Sequence, residues 1–188
     1  MSREPLIDMS PTTLENAEGE AKELLAGAKA GLGFVPNMYT YMANLPGVLD
    51  GYLSTYKSFR ETSGFTPAEQ ETVFLTISRI NGCTYCTAAH SMIADKKSGV
   101  PADSLKALRD GGDLPEAKLD AVAKFTEAMV VSRGTPGKAA VDRFISAGYS
   151  EKQVLGVVLA IACKTFSNYT NHLAGTPVDD VFAPYKVD

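Results

Sequence analysis

One stretch, Glu71 to His90 (ETVFLTISRINGCTYCTAAH), constrains this chain more than any other, because it sets two cysteines, a histidine and an acid among mostly apolar side chains. On a helix turning about 100° per residue, Cys83, Cys86 and His90 lie within roughly 60° of one another, since spacings of three and four return to the same face. Asn81-Gly82 reads as a break. Glu71 then belongs to the preceding helix and reaches the trio only if the two helices pack together.

The signals around this stretch are helical throughout. Thr66-Pro67-Ala68-Glu69 is a capping box with proline at the first helical position, which makes the run VFLTISRI a buried helix instead of a strand. Asp113-Leu114-Pro115-Glu116 and Ser150-Glu151-Lys152-Gln153 read as two further boxes. The first opens a helix with Leu119, Val122, Ala123, Phe125, Thr126 and Met129 turned inward. Ser10 to Thr13 caps a mostly polar helix ended by Gly31 and Gly33, Asn37 to Leu45 forms a short helix, and Gly47 to Arg60 a longer one. Asp103 to Arg109 and Lys138 to Ala147 add two more helices, and the tail after Thr176-Pro177 reads as irregular. Gly64-Phe65-Thr66 and Gly148-Tyr149-Ser150 each precede an apolar helix that runs toward a histidine, His90 or His172, so an internal helical repeat is one reading and a coincidence of caps the other. The expectation is an all-α protein, a single domain over 1–188, with an N-terminal helical extension at 1–45, a core at 46–175 and a tail at 176–188.

Composition narrows the function. A formal charge of −4 with no run of five like charges gives no footprint for nucleic acid or an anionic membrane, which leaves small molecules or proteins as partners. The opening segment has no basic region followed by an apolar run, and no stretch approaches 18 unbroken apolar residues, so the expected setting is the cytoplasm. Three cysteines there do not make a disulfide framework, and C-x-x-C in a reducing compartment points to redox or metal chemistry.

The thiolate is the reactive form of cysteine, and a free thiol with a pKa of ~8.5 is mostly protonated at neutral pH. Cys83 is expected at a helix N-terminus, where unpaired N–H groups favour the anion, which makes it the better placed nucleophile. His90 can carry a proton to and from the pair, and Glu71 can orient the imidazole. The same Cys, Cys, His and Glu could bind zinc, although three ligands at i, i+3 and i+7 of one helix are crowded, and the reading of the residues assigns no metal and no cofactor. Tyr85 stands at the mouth of the site either as a hydrogen-bond donor or as packing. Cys163 and His172 are isolated in the sequence and are left out.

Glu71, eleven intervening residues, Cys83-Thr84-Tyr85-Cys86 and Ala88-Ala89-His90 resemble the AhpD-like alkylhydroperoxidases within the wider carboxymuconolactone decarboxylase family. The similarity runs from about Pro46 to Asn168-Tyr169-Thr170-Asn171-His172 and Thr176-Pro177-Val178-Asp179, a C-terminal pattern like that of the peroxidase-related subgroup. It implies an AhpD-like all-helical fold, assembly into trimers or hexamers, and a peroxiredoxin-type oxidoreductase. The implied site is a redox pair, Cys83 and Cys86, with Glu71 and His90 as its proton relay and a dithiol or disulfide-reductase protein as its reductant. Tyr85 departs from AhpD itself, which has a second histidine between its cysteines. Two alternatives stand beside a thiol-dependent peroxidase: a thiol–disulfide exchange protein and a zinc-binding structural protein.

Overall fold

The computed structural model describes residues 4–187, which form helices and turns with no strand among them; positions 1–3 of the opening segment and position 188 of the tail lie outside the described residues. The helices are α1 (Gly19–Leu32), α2 (Asn37–Met42), α3 (Pro46–Thr62), α4 (Pro67–Ile80), α5 (Thr84–Ile93), α6 (Ala102–Asp110), α7 (Ala117–Val131), α8 (Lys138–Ser146) and α9 (Glu151–Ala174). A π turn, Ala94–Ser98, prolongs α5, and a 3-10 helix, Asp180–Tyr185, follows α9.

The centre of the fold is α4. Its capping box forms as the spacing predicts: the Thr66 hydroxyl accepts from the Glu69 N–H and the Glu69 carboxylate accepts from the Thr66 N–H at 2.8 Å. Every residue from Glu69 to Ser78 is buried, because α4 packs against α5, α7 and α9 together. It feeds two apolar clusters. Val73, Phe74 and Ile77 join the larger one with Leu49, Phe59 and Val157, while Leu75 joins a smaller one with Leu108 and Leu119. A helix clad on all sides gains most of its stability from tertiary packing, which is why β-branched residues are tolerated along it.

α9 lies across α3 and α4. Gly156 makes the approach feasible, since a Cβ there would stand 3.1 Å from the Phe65 ring and 3.3 Å from Ser63. The box at Ser150 and Gln153 forms too, and the Phe65 and Tyr149 rings meet edge to face at 5.7 Å. The echo is present at the caps. Beyond them the two stretches diverge, because α9 continues unbroken where α4 ends at Ile80 and Gly82 takes φ 66° to turn the chain into α5.

Three local expectations fail for identifiable reasons. α1 begins at Gly19, since Thr13 and Asn16 close a side-chain turn that interrupts the run before it (Thr13 N–H to Asn16 Oδ1, 2.7 Å). No box forms at Asp113, because the Glu116 carboxylate accepts from Ser104 and it is Asp120 that caps the Leu114 N–H at 3.0 Å. The tail is ordered into its 3-10 helix, where Phe182 is buried and Arg109 donates to the Tyr185 carbonyl at 2.8 Å. The inward face read for α7, by contrast, is the buried set observed, from Leu119 to Met129.

Candidate active site

The turn at Asn81-Gly82 folds α5 back along α4, and it brings Glu71, Cys83, Cys86 and His90 together as the spacing requires. Glu71 Oε2 lies 2.8 Å from His90 Nδ1, and its other oxygen forms an ion pair with Arg60. Arg60 is itself fixed by Tyr56 at 2.7 Å and Gln70 at 3.0 Å. On the far side of the imidazole, His90 Nε2 stands 2.9 Å from the ammonium of Lys164, which is 1% exposed at the middle of α9. Phe74 forms one wall of this line, its ring centre 4.8 Å from that of His90 and 5.3 Å from Lys164 Nζ.

Burial alone would raise the pKa of Glu71, but His90 and Arg60 outweigh it and hold the carboxyl below its usual range. Burial likewise disfavours imidazolium, and the Lys164 charge adds to this, so His90 lies below the ordinary histidine value despite Glu71. The imidazole is therefore neutral near pH 7, and Arg60 is the charge that balances Glu71. Its tautomer follows: Nδ1–H donates to Glu71, and Nε2 accepts from Lys164, which has only protons to give.

Both thiols are free and buried, with Cys83 1% and Cys86 2% exposed, and the two residues approach within 3.4 Å. Their ionisation reverses the order that the sequence implies. Burial opposes the Cys86 anion, yet the hydrogen bond from Cys83, the Lys164 charge, the His90 ring and the Ser167 hydroxyl together hold it well below a normal thiol. Cys83 is pushed up, first by its hydrogen bond to Cys86 and then by burial. Cys83 does sit at the N-cap of α5, but its side chain makes no cap bond. Asn171, also on α9, spans the pair: its amide N–H₂ lies 3.3 Å from Cys86 Sγ and 3.7 Å from Cys83 Sγ.

A cavity of about 210 Å³ ends on this arrangement. Cys86, His90 and Lys164 line it, with Tyr39, Tyr52 and Tyr56 among the walls. Cys83 does not line it, and faces instead a recess of about 10 Å³ beside Asn171 and His172. Tyr85 lines the cavity, and its hydroxyl donates to Asp179 and accepts from the Met38 N–H at 3.4 Å. It thus ties α5 to α2 and to the segment after α9. Cys163 is wholly buried beside Lys164, and burial raises its thiol to about 11.

Among the described residues, no group of three or more His, Cys, Asp and Glu is arranged to hold a metal ion. Both nitrogens of His90 already have partners, one of them a lysine, which is not a zinc donor set. Lys164 and Arg60 were not singled out from the sequence, and Asn171 and Asp179 entered only within the C-terminal pattern of the resemblance, without a role. For Lys164 a signal existed, a lone cation inside the apolar run VVLAIACKTF, where an unpaired ammonium would be costly. No helix is long and apolar enough to cross a membrane.

Residues 46–128 match the carboxymuconolactone decarboxylase family. No curated protein sequence matches at a significant level. Several solved structures share the fold. An uncharacterised peroxidase-related protein with an alkylhydroperoxidase AhpD core, from Ralstonia eutropha JMP134, superposes with a TM-score of 0.79 at 19% identity, covering 96% of this chain and 94% of that one. The debrominase Bmp8, as a cysteine-to-alanine variant in complex with 2,3,4-tribromopyrrole, gives 0.75 at 20% identity over 93% of each chain. A peroxidase-related protein from Silicibacter sp. TM1040 gives 0.68 at 21% identity over 91% and 92%.

Proposed function

We propose that this chain, an AhpD-like protein that carries the carboxymuconolactone decarboxylase family segment over residues 46–128, is a thiol-dependent peroxidase that reduces hydroperoxides through Cys86 and Cys83. The observation that carries this reading is the cavity of about 210 Å³ that ends on Cys86, the thiol whose anion the surroundings favour.

In the first step the Cys86 thiolate attacks the terminal oxygen of ROOH. The S–O bond forms as the O–O bond breaks, sulfur is oxidised to the sulfenic acid, and the departing alkoxide takes a proton from the Lys164–His90 side to leave as ROH. Lys164 recovers its proton from water that enters the cavity it lines, while Glu71 holds the His90 imidazole in the tautomer that accepts from the ammonium. The Cys83 sulfur then attacks the sulfenic acid, expelling water and closing the disulfide. A dithiol, itself oxidised to a disulfide, returns both cysteines to thiols. Cys83 is suited to the second role because it stands in contact with Cys86 yet outside the cavity.

A protein-to-protein disulfide exchange module needs an exposed sulfur, and neither is exposed here, which favours a small-molecule oxidant. Reductive debromination is a second reading, supported by the debrominase among the fold neighbours and by the aromatic walls of the cavity. It would replace a carbon-bound bromine by hydrogen, release bromide and leave the same disulfide. An assay that supplies a dithiol and either an organic hydroperoxide or a bromopyrrole separates these readings. Consumption of hydroperoxide that is lost in Cys86→Ser supports the peroxidase, and bromide release without it supports the debrominase. Leu155, Val158, Tyr169 and Leu173 are exposed along one side of α9, and they support the self-association that the family implies; the mass in solution tests it.

A further inference from the structure

The cavity follows one helix face lengthwise. Cys86, Ala89, His90 and Ile93 line it at spacings of three and four along α5, and Lys97 of the π turn lines its far end. Ten residues separate Cys86 from Lys97, so their backbone positions stand about 16 Å apart along the axis. Between them the walls are apolar or aromatic, with Phe34, Met38, Tyr52 and Phe182 facing α5.

Apart from the Cys86 thiolate at its inner end, the charges in this cavity have one sign. Its lining holds Lys164 at the inner end and Lys97 at the rim, and no Asp or Glu among the described residues. That is unusual in a chain whose formal charge is −4. The nearby acids are all turned to other partners: Glu71 to His90 and Arg60, Asp179 to Tyr85 and Asn37, and Asp95 to Lys96 at 2.8 Å and the Tyr185 hydroxyl at 2.5 Å. Lys164 is committed to His90, whereas Lys97 is exposed and forms no ion pair among the described residues. An anion that enters this cavity meets an uncommitted cation at the rim and no carboxylate on the way in.

We infer that the substrate is an elongated amphipathic anion, a hydroperoxide with an apolar body and a carboxylate at the opposite end, whose carboxylate pairs with Lys97 while its peroxide reaches Cys86. This rests on the peroxidase reading for the chemistry, but the anion recognition can be tested without it. The bond changes are those given above, with the reduced product leaving as the hydroxy acid.

The binding experiment uses linoleate and methyl linoleate, neither of which carries a peroxide, titrated into the full-length protein below their micellar concentrations and followed by calorimetry. The acid should bind more tightly than the ester, and Lys97→Gln should weaken the acid alone, by about fivefold as befits an exposed ion pair. Lys152→Gln, an exposed lysine outside the cavity lining, should change neither. The kinetic experiment uses linoleic acid hydroperoxide, its methyl ester and cumene hydroperoxide with a dithiol. Lys97→Gln should raise KM for the acid and leave kcat and both uncharged substrates unchanged. If acid and ester bind alike, or if Lys97→Gln and Lys152→Gln behave alike, the inference is overturned even if all three hydroperoxides are consumed. Lys97-dependent binding of linoleate with no hydroperoxide consumed would uphold the anion site and remove the peroxidase reading instead.

Discussion

Cys83 and Cys86 are three residues apart, equally buried and in contact, yet their surroundings drive them in opposite directions. Cys83 occupies the backbone position that favours an anion, at the start of α5, and is pushed toward the thiol. Cys86 lies one turn inside the helix and is drawn toward the thiolate by Cys83, Lys164, His90 and Ser167. The magnitudes explain the outcome. A helix terminus offers about 0.3–1 kcal/mol to a charge near it. A full ammonium charge such as that of Lys164, which lines the same buried cavity as Cys86, acts through a dielectric nearer about 20 than that of water and outweighs a helix terminus. The contrast between the two thiols is therefore set first by the hydrogen bond between them, and it is tipped toward Cys86 by Lys164 and Ser167 of α9, more than 70 residues further along the chain.

The sharpest way to break this contrast is to remove each sulfur in turn. Cys86→Ser should abolish peroxide consumption altogether. Cys83→Ser should still react once per chain, leaving a sulfenic acid on Cys86 that a carbon nucleophile such as dimedone traps and mass spectrometry locates. Label on Cys83 in a Cys86→Ser protein would invert the assignment.

Next in size is Lys164→Met, which removes the cation and leaves His90 Nε2 without its donor. The thiolate absorbance of the pair should then titrate at higher pH, and the rate near neutrality should fall by the ~10²–10⁴-fold that acid–base groups supply. Lys164→Arg should recover part of the titration shift, and an unshifted titration in Lys164→Met would leave the lysine as packing. Glu71→Gln should act through the same line, at the His90 end. Because the groups work as one relay, the Glu71→Gln, His90→Ala double variant should be little worse than the worse single one, and multiplicative losses would separate them.

A smaller effect concerns acid stability. The folded protein holds His90 below its ordinary 6.5 and Glu71 below 4.5. A group whose pKa is depressed by folding contributes fully above its unfolded value and loses that contribution as the pH falls toward its folded one. The melting temperature should therefore begin to drop as the pH passes below about 6.5, from His90, and drop again below about 4.5, from Glu71. His90→Gln should remove the first step and shrink the second, since His90 is one of the two groups that hold Glu71 down. The smallest effect expected is that of Asn171→Ala, which deletes one amide contact to each sulfur and should slow thiol oxidation by less than about tenfold, consistent with one hydrogen bond.

What the sequence discloses about the site follows the reach of local rules. Glu71, Cys83, Cys86 and His90 share two consecutive helices joined by a glycine turn, so caps and helical phase bring them together on the page. Lys164 and Asn171 arrive on α9 through a crossing that Gly156 permits, and no periodicity in α9 itself says which helix it will cross. The ranking of the two thiols failed for the same reason, since it weighed the backbone of α5 without the cation laid against it. The box expected at Asp113 failed because Ser104, on another helix, claimed the Glu116 carboxylate. The helices themselves were legible almost in full, although only α4 and α9 open on a side-chain cap; glycine, proline and the spacing of apolar residues mark the others.

The walls around the thiol pair also make the protein its own optical probe. Of its eight tyrosines, Tyr39, Tyr52, Tyr56 and Tyr85 line the cavity, and there is no tryptophan to mask them. Half of the emitting side chains thus look onto the chamber where sulfur changes its oxidation state, and a disulfide is an efficient quencher of nearby excited phenols. Closing the Cys83–Cys86 bond should dim the ultraviolet emission of the chain, and reduction by a dithiol should restore it. Each turnover would then be visible in real time with no label added.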